Sequence, residues 1–260
     1  MLDISFSFLD LEYFLLILVR ISCFIFIAPF FSIRGIPNQV KIAFSFFTAM
    51  LIYTVLTPHE AVVYDSVLSY AVIVVKEAVT GLLLGFSANI CTAIVNFAGS
   101  VADMETGLSM VTLMDPTTRE QTSITGAYYQ YVIMLMLIAS GMYRYLFGAL
   151  ADSFTLIPVN GAIFRGESLV ATLVTFLSDY IIIGFRICLP IFSVILLLNV
   201  VLGVLAKVSP QMNMFAVGIQ LKVLTGVCVL FLASNMLSGA ANFIFSEIKK
   251  ITVLFVEGMM

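Results

Sequence analysis

Residues 78–102 read AVTGLLLGFSANICTAIVNFAGSVA, 25 consecutive positions without a charged side chain. A helix that crosses the ~30 Å hydrocarbon core of a bilayer needs about 20 mostly apolar residues, and this run exceeds that length. Its apolar residues are continuous. A lipid-spanning β-strand would instead alternate apolar and polar positions over about 10 residues. Unpaired backbone amides and carbonyls are costly in lipid, so a continuous run of this kind has to close its own hydrogen bonds as a helix.

Working outward, the same reading isolates five more runs, 13–33, 42–57, 121–143, 187–206 and 223–246, of which the first is interrupted by Arg20. The predicted fold class is all-α, a multi-helix integral membrane protein with six helical runs. Composition agrees: of 260 residues 62% are hydrophobic and 10% charged, with a mean hydropathy of +1.14. A soluble domain is about half apolar and about a quarter charged. Twelve basic and 15 acidic residues cannot cover a water-soluble body of this size. The net charge of −3 offers no basic patch for nucleic acid. Membrane lipid is the expected surrounding. Asp3, Asp10 and Glu12 precede the first run without any Lys or Arg, the wrong sign for a signal-peptide n-region. The first segment is therefore expected to remain.

The segments between the runs are less ordinary. Stretches 62–75, 146–164 and 169–185 are apolar but interrupted by Asp65, Asp152, Pro158 and Asp179. They read as half-helices, interfacial helices or pieces buried on another subunit. With the N-terminus outside, the inner connections hold Arg34, Lys41, Arg119, Lys207 and Lys222, and the outer ones Arg144, Arg165, Lys249 and Lys250. Five against four does not orient the chain.

Enzyme chemistry finds little to work with. The single histidine, His59, follows Pro58 in a connection, so a metalloprotease HExxH pair is impossible. Cys23, Cys91, Cys188 and Cys228 lie inside apolar runs without a CxxC pair and read as small buried hydrophobes. No catalytic, cofactor or metal site is expected. The informative charges are those within or beside the runs, each costing roughly 2.5–3.5 kcal/mol at the bilayer centre on insertion scales. Arg20 and Arg186 are expected to neutralise Glu77, Asp103 and Asp179 inside a bundle, or to snorkel. The competing reading is a proton or ion path through Glu77, Asp103 and Asp179. Gly81 and Gly85 form a GxxxG that lets helices approach closely.

Two polar stretches stand out. The first runs from Gly99 through Gly107, Leu108, Ser109, Met110, Val111, Thr112, Leu113 and Met114 to Asp115 and Pro116. The residue before a proline is biased away from helix, and methionines are soft enough to seal around varied surfaces. The second is an elbow between two apolar runs: Lys207, Pro210, Gln211, Met212, Asn213, Phe215, Gly218 and Lys222. It reads as the turn of a helical hairpin.

In order along the chain stand Arg20, Ala28-Pro29-Phe30, Ile36-Pro37 with Lys41, Gly81, Gly85-Phe86, Ala98-Gly99, Gly107-Leu108-Ser109-Met110 and Asp115-Pro116. Phe154, Leu156-Ile157-Pro158, Leu189-Pro190, Asn199, Pro210-Gln211-Met212-Asn213, Phe215, Gly218 and Leu221-Lys222 complete the series. In this order the chain resembles the FliR/SctT family, the export-gate proteins of flagella and of injectisomes. It departs from the flagellar pattern after Gly99. Where that pattern has an acid directly, this chain has Ser100, with acids at Asp103 and Glu105.

The resemblance implies a FliP-like helical part over about 1–180 and a FliQ-like hairpin over about 181–260. It implies FliP-like, FliQ-like and FlhB-like partners, transient contact with unfolded secreted proteins, and a multi-pass place in the bacterial inner membrane within the flagellar basal body. It implies that 107–115 plugs the closed channel and that the elbow serves assembly. The rival classes are a secondary transporter or ion-coupled carrier, which calls for inverted repeats, and an intramembrane hydrolase relying on His59. No convincing internal repeat is visible.

Overall fold

The structure, a computed structural model, describes residues 8–32, 36–56, 64, 66–110, 113–114, 121–211 and 213–260. Its elements are helices α1 (Phe8–Ile27), α2 (Pro29–Ser32), α3 (Asn38–Val55), α4 (Val67–Thr106), α5 (Ile124–Ala139), α6 (Met142–Leu156), α7 (Gly166–Val208), α8 (Met214–Ala233) and α9 (Leu237–Met259). A two-residue antiparallel pair, β1 (Leu113–Met114) with β2 (Gln121–Thr122), is the described strand structure. The fold is all-α.

The six runs are redrawn, because cutting a sequence at its charges cuts helices that charges do not end. Residues 67–75 are the first turns of α4, which carries Lys76 and Glu77 without interruption. Residues 169–185 are the first half of α7, continuous through Asp179, Arg186 and Pro190. Two of the three expected half-helices are thus parts of long ones, while 146–164 holds most of the short helix α6 and the segment after it. Conversely, 121–143 is not one helix: α5 stops at Ala139 and α6 starts at Met142, with Gly141 at φ +71° between them. By length and composition three described helical stretches can cross a membrane: Val67–Thr106, Gly166–Val208 and Ala216–Met259. A fourth joins them if α5 and α6 count as one broken crossing. Asp10, Glu12 and Arg20 load α1 with charge, and α3 begins on Asn38, Gln39 and Lys41.

The chain divides into two compact units. The first comprises residues 1–90, 141–176 and 247–260, the second 91–140 and 177–246. In the first, α1 lies against α3, and α4 reaches α1 through the GxxxG pair: a Cβ on Gly81 would overlap the Arg20 carbonyl, and one on Gly85 would stand 2.9 Å from that of Phe24. Phe44 and Phe147 pack edge to face, as do Phe24 and Phe147. The end of α9 is tied down where Ile163 and Arg165 donate their amides to the carbonyls of Met259 and Gly258. In the second unit the later part of α4 meets α5, α7 and α8. Phe97 packs on Gly184 and on Phe185, and Thr106 on Gly226.

Candidate functional site

The loop that follows α4 leaves its helix and returns within a defined frame. Gly107 adopts φ +81°, a left-handed conformation that costs glycine nothing and commonly ends helices. A single 3-10 turn, Leu108–Met110, follows. β1 then pairs with β2, Leu113 opposite Thr122 and Met114 opposite Gln121. Ser123 caps α5 by accepting the Gly126 amide at 2.9 Å.

Asp103, on the last turn of α4 and 2% exposed, closes the base of this loop. Its carboxylate accepts from the Ser123 hydroxyl at 2.7 Å, from the Thr125 amide at 3.2 Å, and from the Thr125 hydroxyl. A carboxylate at a helix N-terminus also gains from the helix dipole, and hydrogen bonds to an ionised acceptor are the stronger kind. One turn earlier, a Cβ on Gly99 would overlap backbone atoms of Gly126, so α4 and α5 touch main chain to main chain. The loop thus springs from two fixed points, a glycine contact and a carboxylate clamp.

A different device operates in the first unit. The side chains of Arg20 and Glu77 are both 0% exposed, and Arg20 Nε donates to Glu77 Oε2 at 2.6 Å. Arg20 Nη1 donates to the carbonyls of Ser153 at 3.1 Å and Ile157 at 2.9 Å, where α6 ends. The guanidinium carbon stands 4.3 Å from the Phe154 ring centroid. The other Glu77 oxygen accepts the amide of Asn160 at 2.9 Å. Asn160 has φ +69°, a conformation asparagine tolerates better than most residues. A buried charge needs both an opposite charge and further hydrogen bonds; this cluster supplies them at Nε and Nη1 and leaves the buried Arg20 Nη2 without a hydrogen bond among the described residues.

The expected charge partners are therefore corrected in part. Arg20 meets Glu77, whereas Asp103 meets the hydroxyls and the amide at the start of α5. Arg186 is exposed and stands 5.1 Å from the Phe243 ring centroid, without a carboxylate partner among the described residues. Asp179 is half-buried.

At the elbow, α7 ends at Val208 and α8 begins at Met214, with Asn213 capping it by accepting the Ala216 amide at 3.4 Å. Pro210 and Gln211 lie in the turn, and Phe215, Gly218 and Lys222 lie on α8. Gly218 is buried, and a Cβ there would meet Leu202 at 3.5 Å, an ordinary contact. Leu108 and Gly107 are half-buried and Ser109 exposed. Of the other expected site residues, Val111, Thr112, Asp115 and Met212 lie outside the described residues, as does His59. Sequence reasoning missed Ser123, Thr125 and Gly126. A serine just before an apolar run is a cap signal, but only the fold brings it to Asp103.

These features define an all-helical membrane protein whose longest charge-free run, 78–102, lies on a helix that ends in a clamped loop. Its sequence matches the profile of bacterial export proteins, family 1, over residues 11–248. The chain belongs to that family. It is similar to the flagellar biosynthetic protein FliR of Bacillus subtilis, 29% identical over 235 residues and 90% of each chain. It is 25% identical to the FliR of Escherichia coli over 232 residues, 89% of this chain and 87% of that one. It is 26% identical to the surface presentation of antigens protein SpaR of Shigella flexneri over 262 residues, 98% of this chain and all of that one.

Proposed function

We propose that the protein is a structural subunit of a flagellar type III export gate, helping to form and plug the channel through which unfolded flagellar proteins leave the cell. In this reading it makes and breaks no bonds. It lies in the bacterial inner membrane within the basal body, in contact with FliP-like, FliQ-like and FlhB-like subunits, the first 180 residues playing a FliP-like part and the rest a FliQ-like hairpin. Family membership and the likeness to FliR and SpaR support the export role.

The observation that carries the plug is the loop between α4 and α5, rooted at Gly99–Gly126 and Asp103. A plug must yield to a passing chain and then find its place again, which calls for a soft tip on a rigid root. Ser109, Met110, Thr112 and Met114 give the segment small or flexible side chains. The clamp supplies the root. The large apolar areas left exposed on α3, α4, α7 and α8, such as Phe47, Leu51, Leu68, Leu197 and Phe231, fit burial on neighbouring subunits or lipid.

Deleting residues 107–114 is expected to make cells leaky to small ions while the subunit still co-purifies with its neighbours. Unchanged ion permeability with an intact complex overturns the plug. A solute-transport reading would predict uptake by vesicles holding this chain alone, which this reading does not.

A further inference from the structure

Within the second unit, α5, α7 and the α8–α9 joint enclose an apolar groove of ≈ 340 Å³. Ile187, Pro190, Met236, Leu237 and Phe243 form its walls. Two polar side chains also line it. Arg186 carries a guanidinium without a carboxylate partner among the described residues, spread over Phe243. Tyr129 is 2% exposed, and its phenol has no hydrogen-bond partner among the described residues. Pro190 adds a third element, since it has no amide to donate to the carbonyl of Arg186 four residues earlier.

The level of this groove along α7 is legible. Between Arg186 and Lys207 lie 20 charge-free residues, about 30 Å of helix at 1.5 Å per residue. That is the thickness of a hydrocarbon core, so the spacing of the two cations matches its two faces. Tyr128 and Tyr131, 42% and 63% exposed, flank Tyr129 on α5, as aromatic side chains do at the headgroup level. An arginine without a carboxylate partner among the described residues and a tyrosine hydroxyl, both beside an apolar slot at the end of a membrane-length charge-free run, are complementary to one molecule class.

We infer that this groove holds an anionic phospholipid, its phosphodiester on the Arg186 guanidinium and the Tyr129 hydroxyl, and one acyl chain along Pro190 and Leu237. The inference is independent of the plug and of the partner subunits.

The full-length chain, purified in detergent and titrated with phosphatidylglycerol or with phosphatidylcholine of the same acyl chains, tests it by native mass spectrometry. One phosphatidylglycerol is expected to be retained in preference to phosphatidylcholine. Arg186→Gln is expected to lower that retention about tenfold, the scale of one hydrogen bond to a charged group. Arg186→Lys should keep most of it. Tyr129→Phe, which removes one oxygen and leaves the packing, should lower the preference severalfold. Millimolar inorganic phosphate should not displace the lipid. Equal retention of the two lipids, wild-type retention in Arg186→Gln, an unchanged preference in Tyr129→Phe, or displacement by phosphate each overturns the inference.

Discussion

Glu77 and Asp103 stand on the same helix, α4, and both are hidden from solvent, yet they are satisfied in opposite ways. Glu77 faces an arginine and holds three helices of the first unit at one point: α1 through Arg20, α4 itself, and α6 through the Ser153 and Ile157 carbonyls that Arg20 also binds. Asp103 faces a serine, a threonine and a backbone amide, all belonging to the chain that returns from a loop. The first arrangement is an ion pair with a large penalty for removing one member. The second is a set of neutral donors, each modest and individually replaceable. A helix junction meant to stay shut suits the first, and the root of a segment that must move and return suits the second.

The sharpest way to break this comparison is Arg20→Ala. It leaves the Glu77 carboxylate buried with only the Asn160 amide, and breaking a buried pair from one side costs about 3–5 kcal/mol. Thermal unfolding of the detergent-solubilised protein should show the loss. The double variant Arg20→Met with Glu77→Met should be clearly less damaged, since replacing both ions by apolar groups is often near neutral. Equal loss in the single and double variants would deny the pair its role.

A smaller and oppositely signed contrast concerns glycine. Gly99→Ala drives a methyl into the backbone of Gly126 and should cost about 1–3 kcal/mol by overpacking. Gly148→Ala, on α6 with open space around it, should be neutral or stabilise by up to about 1 kcal/mol because a helix interior prefers alanine. If both substitutions shift the melting point the same way, α4 and α5 do not touch as described.

The smallest destabilisation belongs to the clamp. Asp103→Asn and Ser123→Ala should each cost about 1–2 kcal/mol, and together less than the sum, because they share one hydrogen bond. Amide exchange over 107–122 should quicken in both while the amides around Arg20 stay protected. Exchange that quickens equally in both units would place Asp103 in general stability instead of loop anchoring.

Part of this was open to sequence reasoning. The charge-free stretch 78–102 announced a membrane helix, the glycines Gly81 and Gly85 announced close packing, and Asp115 before Pro116 marked a stretch biased away from helix. The helix limits were not open in the same way. Lys76, Glu77, Asp179 and Arg186 look like boundaries in a hydropathy reading, but a helix tolerates a charge wherever a partner, an aromatic face or an interface receives it. Gly141 looked like one more small residue in an apolar run, and it is where the chain turns.

What the sequence determined by itself is the class of the molecule, because lipid admits only backbone that closes its own hydrogen bonds, whatever the neighbouring residues do. What the tertiary structure decided is which charges meet. Arg20 finds Glu77 across 57 positions, and Asp103 finds Thr125 across 22. Arg186 finds no acid among the described residues. Such encounters depend on the register and crossing of helices, and those follow from side-chain packing summed over whole faces, a quantity that no local stretch of residues contains.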